Sequence, residues 1–230
     1  MVAKQSTLDI SNQDVSADAM RTWAAQGLVV SLKTCNLDEA ALASLDMTGW
    51  LFDECRMAAV DFRSAGLEGA RFVGCRGTQA DFSGADLTDA RFAGCDFNNA
   101  RFIEAKANDT GFEGCKLTGA DFSRVRSLGL SFRETILSAA RLRGLSFNNE
   151  RLEKLDFGMA DLTGCDFRKV VFSGCSLREA GLVDARFDGA DLRGADLGGL
   201  ALIDAKKFKG ATISKDQAGL LLAELGLKVR

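Results

Sequence analysis

The chain has no histidine, no proline and no tyrosine among its 230 residues. The missing imidazole is the most restrictive of these absences, because without it neither Ser-His nor Cys-His nucleophilic catalysis can be assembled. No phosphate loop of the Walker type occurs; Gly74, Gly84, Gly94 and Gly114 recur singly, at fixed spacing. No stretch of about eighteen apolar residues is present, so no membrane span is expected. The first residues lack the basic-then-apolar pattern of a secretory leader. Charge of either sign is barely in excess, the net being −3. These absences lead to the expectation of a soluble, cytoplasmic, non-catalytic protein that uses no cofactor and no metal.

What is present is a beat of five. Stepping by five from Leu32 to Leu202 visits 35 positions, of which 32 are Leu, Phe or Met; the exceptions are Gly77, Ala107 and Ser127. Fifteen of the sixteen Phe residues fall on this register. Two residues before each lies a second beat of small or apolar residues, and all seven Cys occupy it: 35, 55, 75, 95, 115, 165 and 175. Helices repeat every 3.6 residues and strands every 2, so a period of five is neither. Sustained this long, it implies stacked repeats, each too small to bury its own apolar face.

A longer period is written over the first. Cys35, Cys55, Cys75, Cys95 and Cys115 are separated by twenty residues, as are Phe52, Phe72, Phe92, Phe112 and Phe132, and Phe62, Phe82, Phe102 and Phe122. Four five-residue units therefore make one coil, and like stacks on like. At a coil spacing of ~4.8 Å, about eight and a half coils make a rod ~40 Å long. The stacked cysteines fall within disulfide range by Cα distance, but they fill small inward slots and are expected to stay reduced, as compact hydrophobes. A straight ladder does not converge into a tetrahedral zinc site. Glu150 is the one charge on the inward columns, and a bulge at Asn148-Asn149-Glu150 is expected to release it. Ala107 and Ser127 leave two gaps in one column, which Leu128 or Leu130 is expected to fill.

Both ends depart from the beat. Ser214 with Gln217 forms a capping box, and Ala218, Leu221, Leu222 and Leu225 follow at helical spacing before Gly226. This C-terminal helix has apolar residues to spare at Leu220 and Leu227, which suggests a dimer interface made by Leu221, Leu222, Leu225 and Leu227. Near the other end, Ser16 is an N-cap with Val15 and Met20 as a hydrophobic staple, Met20, Trp23 and Ala24 share a face, and Gly27 closes the segment. Residues 1–12 are read as a flexible tail. Three parts result: a cap segment over 1–27, a repeat domain over 28–212 and a capping, dimerising helix over 213–230.

A typical unit, Ala80-Asp81-Phe82-Ser83-Gly84, has the A(D/N)LXX form of pentapeptide-repeat proteins, and the chain resembles that family over about three quarters of its length. The resemblance implies an all-β fold, a right-handed quadrilateral β-helix with a short N-terminal cap and a C-terminal α-helix. The segment from Gly210 to Leu227 further resembles the ending of the Qnr and MfpA topoisomerase-protection proteins. That resemblance implies a homodimer through the C-terminal helix and a non-catalytic, DNA-mimicking protein that binds DNA gyrase, a type II topoisomerase, with resistance to gyrase poisons as one outcome. The unbroken register leaves no room for the long loops of Qnr proteins and is closer to MfpA. The candidate partner-binding face is acidic: Asp61, Asp81, Asp121 and Asp161 on one side, Asp86 and Asp166 on another. Arg56, Arg71, Arg76 and Arg91 lie on the two remaining sides. Direct nucleic-acid binding is not expected, since nearly all the aromatics face inward. The alternative reading is a rod-shaped scaffold or effector with an unrelated protein partner.

Overall fold

The structure is a computed structural model that describes residues 7–199, 206–224 and 226–228. The chain forms two compact units, Met1–Phe132 and Arg133–Arg230. Each is a right-handed quadrilateral β-helix in which five-residue turns form the four sides of successive coils.

In the first unit, β1 (Thr7–Ser11) is followed by α1 (Ala17–Ala25), β2 (Val29–Lys33), β3 (Leu51–Asp53), β4 (Arg71–Val73), β5 (Arg91–Ala93) and β6 (Gly111–Glu113), and β7 (Ser131–Arg133) ends the sheet. These strands stack in chain order as one sheet, with Leu32, Phe52, Phe72, Phe92 and Phe112 as successive parallel partners. The other three sides are columns of single parallel bridges, such as Asp46, Gly66, Asp86, Lys106 and Arg126. In the second unit β8 (Arg151–Glu153), β9 (Val171–Ser176) and β10 (Asp191–Asp196) form a three-stranded sheet, and α2 (Lys215–Glu224) follows.

The local chemistry explains the square. Within each unit the central Leu or Phe and the residue two before it point inward, and both are buried along most of the register. The residue two after the central one takes a left-handed backbone, with non-glycine φ between +48° and +63°. That conformation is sparsely populated for L-residues, and here coil-to-coil bonding holds it: Gln79 N donates to the Asn98 carbonyl at 2.9 Å and Ser64 N to the Ser83 carbonyl at 2.9 Å. The Asp that precedes many central residues closes the same turn, because its Oδ1 accepts from the backbone N–H two residues on, as at Asp81 with Ser83 (2.9 Å) and Asp161 with Thr163 (3.1 Å).

Two phenylalanine ladders fill the first unit. Phe72 and Phe92 stack at 4.6 Å and Phe92 and Phe112 at 4.5 Å, while Phe82 and Phe102 stack at 5.0 Å. The two ladders meet edge to face, as at Phe82 and Phe92 (5.8 Å, 89°). The cysteines are free and buried. Each thiol donates to a carbonyl of the coil before, Cys75 to Phe52 at 3.2 Å and Cys165 to Leu142 at 3.1 Å, and Thr110 Oγ1 does the same to Leu87 at 2.7 Å. Burial pushes the Cys165 thiol up to about 12.

Three expectations need correction. Thr7–Ser11 is a strand paired in parallel with β2, not part of a flexible tail; the helix capped by Ser16 carries the chain from one strand to the next. Glu150 has no bulge to escape through: its N–H closes an ordinary turn on Phe147 at 3.0 Å, and it stays half-buried in its column, where desolvation raises its carboxyl above the ordinary range. Leu128 does not move inward to fill the gap at Ala107 and Ser127. It turns out, 79% exposed, Ser127 is exposed too, and Leu130 keeps its regular inward place. The sixteenth phenylalanine, Phe208, lies off the five-residue register in the sequence. Phe187 N donates to the Lys207 carbonyl, one residue further along than the pattern of earlier coils, so Phe208 stacks on Phe187 at 5.0 Å and the ladder continues across a one-residue insertion.

Candidate partner-binding faces

In the first unit Asp61, Asp81, Arg101 and Asp121 are bridged in one column, so the expected side exists there. It is not an open acidic stripe. Arg63 grips Asp61 through Nε and Nη2 at 2.8 and 2.7 Å and holds its carboxyl below the ordinary range. Arg101 lies 3.6 Å from Asp81. Asp86, on the next side, meets Lys106 at 3.0 Å and the Thr88 hydroxyl at 2.6 Å. In the second unit Asp161 is paired with Arg143 through Nε. Asp166 is only 7% exposed rather than outward in solvent: Arg168 at 2.7 Å and Arg186 at 2.9 Å close over it, and hydrogen bonding from Arg168 holds its carboxyl at about 2. These partners come from the residue stacked in register in the next coil (Arg101, Lys106, Arg186), from a diagonal neighbour (Arg143) and from two residues on in the same turn (Arg63, Arg168).

Several exposed carboxylates of the first unit have no ion-pair partner among the described residues: Glu39, Glu54 and Glu113 on other sides, and four on one side. Asp46, Glu68, Asp89 and Asp109 are all exposed. They share the side that carries the bridged column from Asp46 to Arg126, and none of them has a Lys or Arg within ion-pair distance among the described residues. None of the four is among the expected residues: Asp46 precedes its central residue Met47 but is not part of the expected face, and Glu68, Asp89 and Asp109 sit at the turn that follows the central residue. The usable signal is the twenty-residue column Gly69, Asp89, Asp109, Gly129, in which no cation stands above or below. On the other two sides Arg71 partners Arg91 and Arg56 partners Arg76 in register; Arg56 is tied to Asp38, and Arg91 reaches the backbone carbonyl of Asp109.

At the end of the second unit the capping box forms as expected: Gln217 N donates to Ser214 Oγ at 3.1 Å and Ser214 N to Gln217 Oε1 at 2.7 Å. The Gln217 amide also donates to the carbonyls of Leu192 and Ala195, each at 2.7 Å, and so closes the open end of β10. Leu221, one turn later, is buried against its own chain at 7% exposure, whereas Leu220 at 68% and Leu227 at 55% are free. Leu222 is half-buried, and Leu225 lies outside the described residues. Among the described residues no helix is long and apolar enough to cross a membrane.

Five-residue turns stacked around a filled square core define a solenoid of the quadrilateral β-helix class. Residues 29–102 match the pentapeptide repeat region, and residues 85–124, 131–168 and 160–199 match pentapeptide repeats in eight copies. The chain belongs to the pentapeptide-repeat family. Among solved structures it is similar to a trypsin-treated form of QnrB1, a plasmid-mediated fluoroquinolone resistance protein, at 26% identity and TM-score 0.72, covering 85% of this chain and 97% of that one. A second trypsin-treated form superposes at TM-score 0.66 and 22% identity over 97% of this chain and 98% of that one. Full-length QnrB1 superposes at TM-score 0.60 and 18% identity over 97% and 100%, and at these identities the likeness is one of fold. None of the curated proteins compared matches the chain.

Proposed function

We propose that the protein is a non-catalytic, DNA-mimicking modulator of a type II topoisomerase, DNA gyrase in the first instance, which protects the enzyme from poisons of the fluoroquinolone kind. The observation that carries this reading is the likeness to QnrB1, at 26% identity over 85% of the chain. A protein that competes with DNA must present carboxylates where DNA presents phosphates, and a carboxylate already bonded to arginine offers little charge. The reading therefore places the mimicking charge on Asp46, Glu68, Asp89 and Asp109 and gives Asp61, Asp81, Asp121, Asp161 and Asp166 the work of closing turns and binding coils together. Residues 213–230 join two copies about a two-fold axis through Leu220, Leu222, Leu225 and Leu227, next to the repeat domain of 28–212 and the cap of 1–27.

The test is a supercoiling assay with purified gyrase and micromolar protein. Inhibition, or rescue from a fluoroquinolone, is expected for the wild type. Replacing Asp46, Asp89 and Asp109 by Asn and Glu68 by Gln should weaken the effect, most visibly at low salt. Replacing Asp81, Asp121 and Asp161 by Asn should leave it nearly intact. Unchanged supercoiling with the wild-type protein refutes the reading. The extensive neutralisation of acids by arginine in both units favours a second reading, a β-helical scaffold for an unrelated protein partner, and that reading takes over if gyrase does not respond.

A further inference from the structure

Cys35, Cys55, Cys75, Cys95 and Cys115 stand one above another in successive coils of the first unit, and the topoisomerase reading uses none of them. Their thiols share one orientation. Cys55, Cys75, Cys95 and Cys115 donate to the carbonyls of Leu32, Phe52, Phe72 and Phe92 in the coil before, at 3.2 to 3.4 Å. Each also lies 3.4 or 3.5 Å from the carbonyl two residues back in its own coil. Cys35 is set in the same way against Ile10 and Lys33. With one orientation repeated, the sulfur atoms are spaced as the coils are. The phenylalanine ladder of the same sheet measures that spacing: 4.8 Å from Phe52 to Phe72, 4.6 Å on to Phe92 and 4.5 Å on to Phe112. The two remaining thiols are solitary. Cys165 has Leu145 and Ala185 in the coils on either side, and Cys175 has Leu155 and Ala195.

Two metal–thiolate bonds of ~2.3 Å laid end to end span ~4.6 Å. The gap between neighbouring ladder thiols therefore fits one metal ion held in line by two sulfurs, without spreading the coils. A tetrahedral ion does not fit, because among the described residues no three His, Cys, Asp or Glu side chains converge as metal ligands. Thiolates in turn select soft cations. Charge narrows the choice further. Binding releases both thiol protons, so a divalent ion leaves the pair neutral, whereas a monovalent ion leaves a negative charge in an apolar column. An approach exists at the N-terminal end, where a groove of ≈ 660 Å³ is lined by Cys35 with Thr34, Glu54 and Gly74. Further along, Gly74, Gly94 and Gly114 precede Cys75, Cys95 and Cys115, so the corner outside these thiols carries no side chain of its own.

We propose that the thiol ladder is a binding site for a soft divalent cation that takes two ligands in line, of which the mercuric ion is the type. Two S–H bonds break, two S–Hg bonds form, two protons leave to water and no oxidation state changes. Each ion needs two neighbouring thiols, so five in a row hold two ions and leave one thiol over. The proposal is independent of the topoisomerase reading.

The experiment titrates the reduced full-length protein and its variants with mercuric ion against a monothiol competitor and counts bound metal by native mass spectrometry. The wild type should hold two ions, each in place of two protons. Cys75→Ala leaves the pairs Cys35–Cys55 and Cys95–Cys115 and should still hold two. Cys55→Ala leaves a single run of three thiols and should hold one. Cys55→Ala with Cys95→Ala separates every ladder thiol from its neighbours and should hold none. Cys165→Ala with Cys175→Ala removes the same number of thiols and should hold two. Alanine already fills the same inward position at Ala70 and Ala80, so these variants should fold, and the two single variants decide the question without the double one. Retention that follows the total number of thiols, or that is equal in the two double variants, would overturn the inference. A wild type that retains no mercury against the competitor would do the same. Loss of the β-sheet circular dichroism signal on binding would also overturn it, since thiols gathered by unfolding are not the ladder.

Discussion

At the scale of single residues, position in the five-residue turn decides what a side chain does. Phe92 lies in mid-ladder, stacked on Phe72 and Phe112 and met edge-on by Phe82 and Phe97. Phe92→Ala should cost ~3–5 kcal/mol in chemical denaturation, and its neighbour Ala93→Ser almost nothing. Glu150 shows the reverse case, a charge held where the columns want none. Its folded carboxyl titrates above the unfolded value of about 4.3, so the folded state holds the proton more tightly. Stability then falls as pH rises from the unfolded toward the folded value, and the penalty is complete at neutral pH. Glu150→Gln should be more stable than wild type at pH 7, with the difference closing below pH ~4. Asp166 carries the opposite sign. Its folded carboxyl sits at about 2, so its contribution is full above the unfolded value and is lost as pH falls toward about 2. Asp166→Asn should therefore flatten the acid limb of the pH–stability curve, read from thermal melts between about pH 2 and pH 5.

Elements are coupled through the columns they share. Gly77 interrupts the register, and the structure shows what fills its space: a Cβ there would lie 2.2 Å from the ring of Phe97. Phe97 uses that room to meet Phe72, Phe82 and Phe92 edge-on. Gly77→Ala should destabilise by ~1–3 kcal/mol through overpacking. Combined with Phe97→Leu it should cost clearly less than the two single changes together, a coupling that a double-mutant cycle in urea would measure. The hydrogen bonds that couple the C-terminal helix to β10 come from Gln217. Gln217→Ala removes the capping box and leaves the Leu192 and Ala195 carbonyls without that donor. Faster amide exchange across 206–224 is expected, with little change in the first unit.

For the molecule as a whole, the net charge of −3 understates what matters to a partner, because paired and unpaired carboxylates count alike in that sum. Assembly has the same character. Leu221 is committed to its own chain, so a dimer must draw on Leu220 and Leu227, together with Leu222. Leu220→Glu with Leu227→Glu should convert a sedimenting dimer to monomers without loss of the β-sheet circular dichroism signal. Deletion of 213–230 is the poorer test, since it also strips Gln217 from the end of β10. A wild-type protein that sediments as a monomer at micromolar concentration would remove the two-fold assembly from the proposal.

The period of five and its twenty-residue overtone made the coils, the ladders of Phe and Cys, the caps at Ser16 and Ser214 and the family legible before any coordinates. Those features repeat locally, and each turn asks the same thing of its inward residues, so one pattern read many times leaves little ambiguity. The single deviations were decided by the tertiary structure. Whether Ser127 leaves a void or expels Leu128 depends on how far the surrounding wall can give. The twenty-residue column places Arg101 over Asp81, but whether such stacked groups meet, and which atoms an arginine such as Arg91 reaches, depends on side-chain rotamers that the repeat does not specify. Phe208 stacks on Phe187 although it lies one residue off the register, and Leu221 rather than Leu220 turned inward because Gln217 sets the rotation of the helix on the last coil.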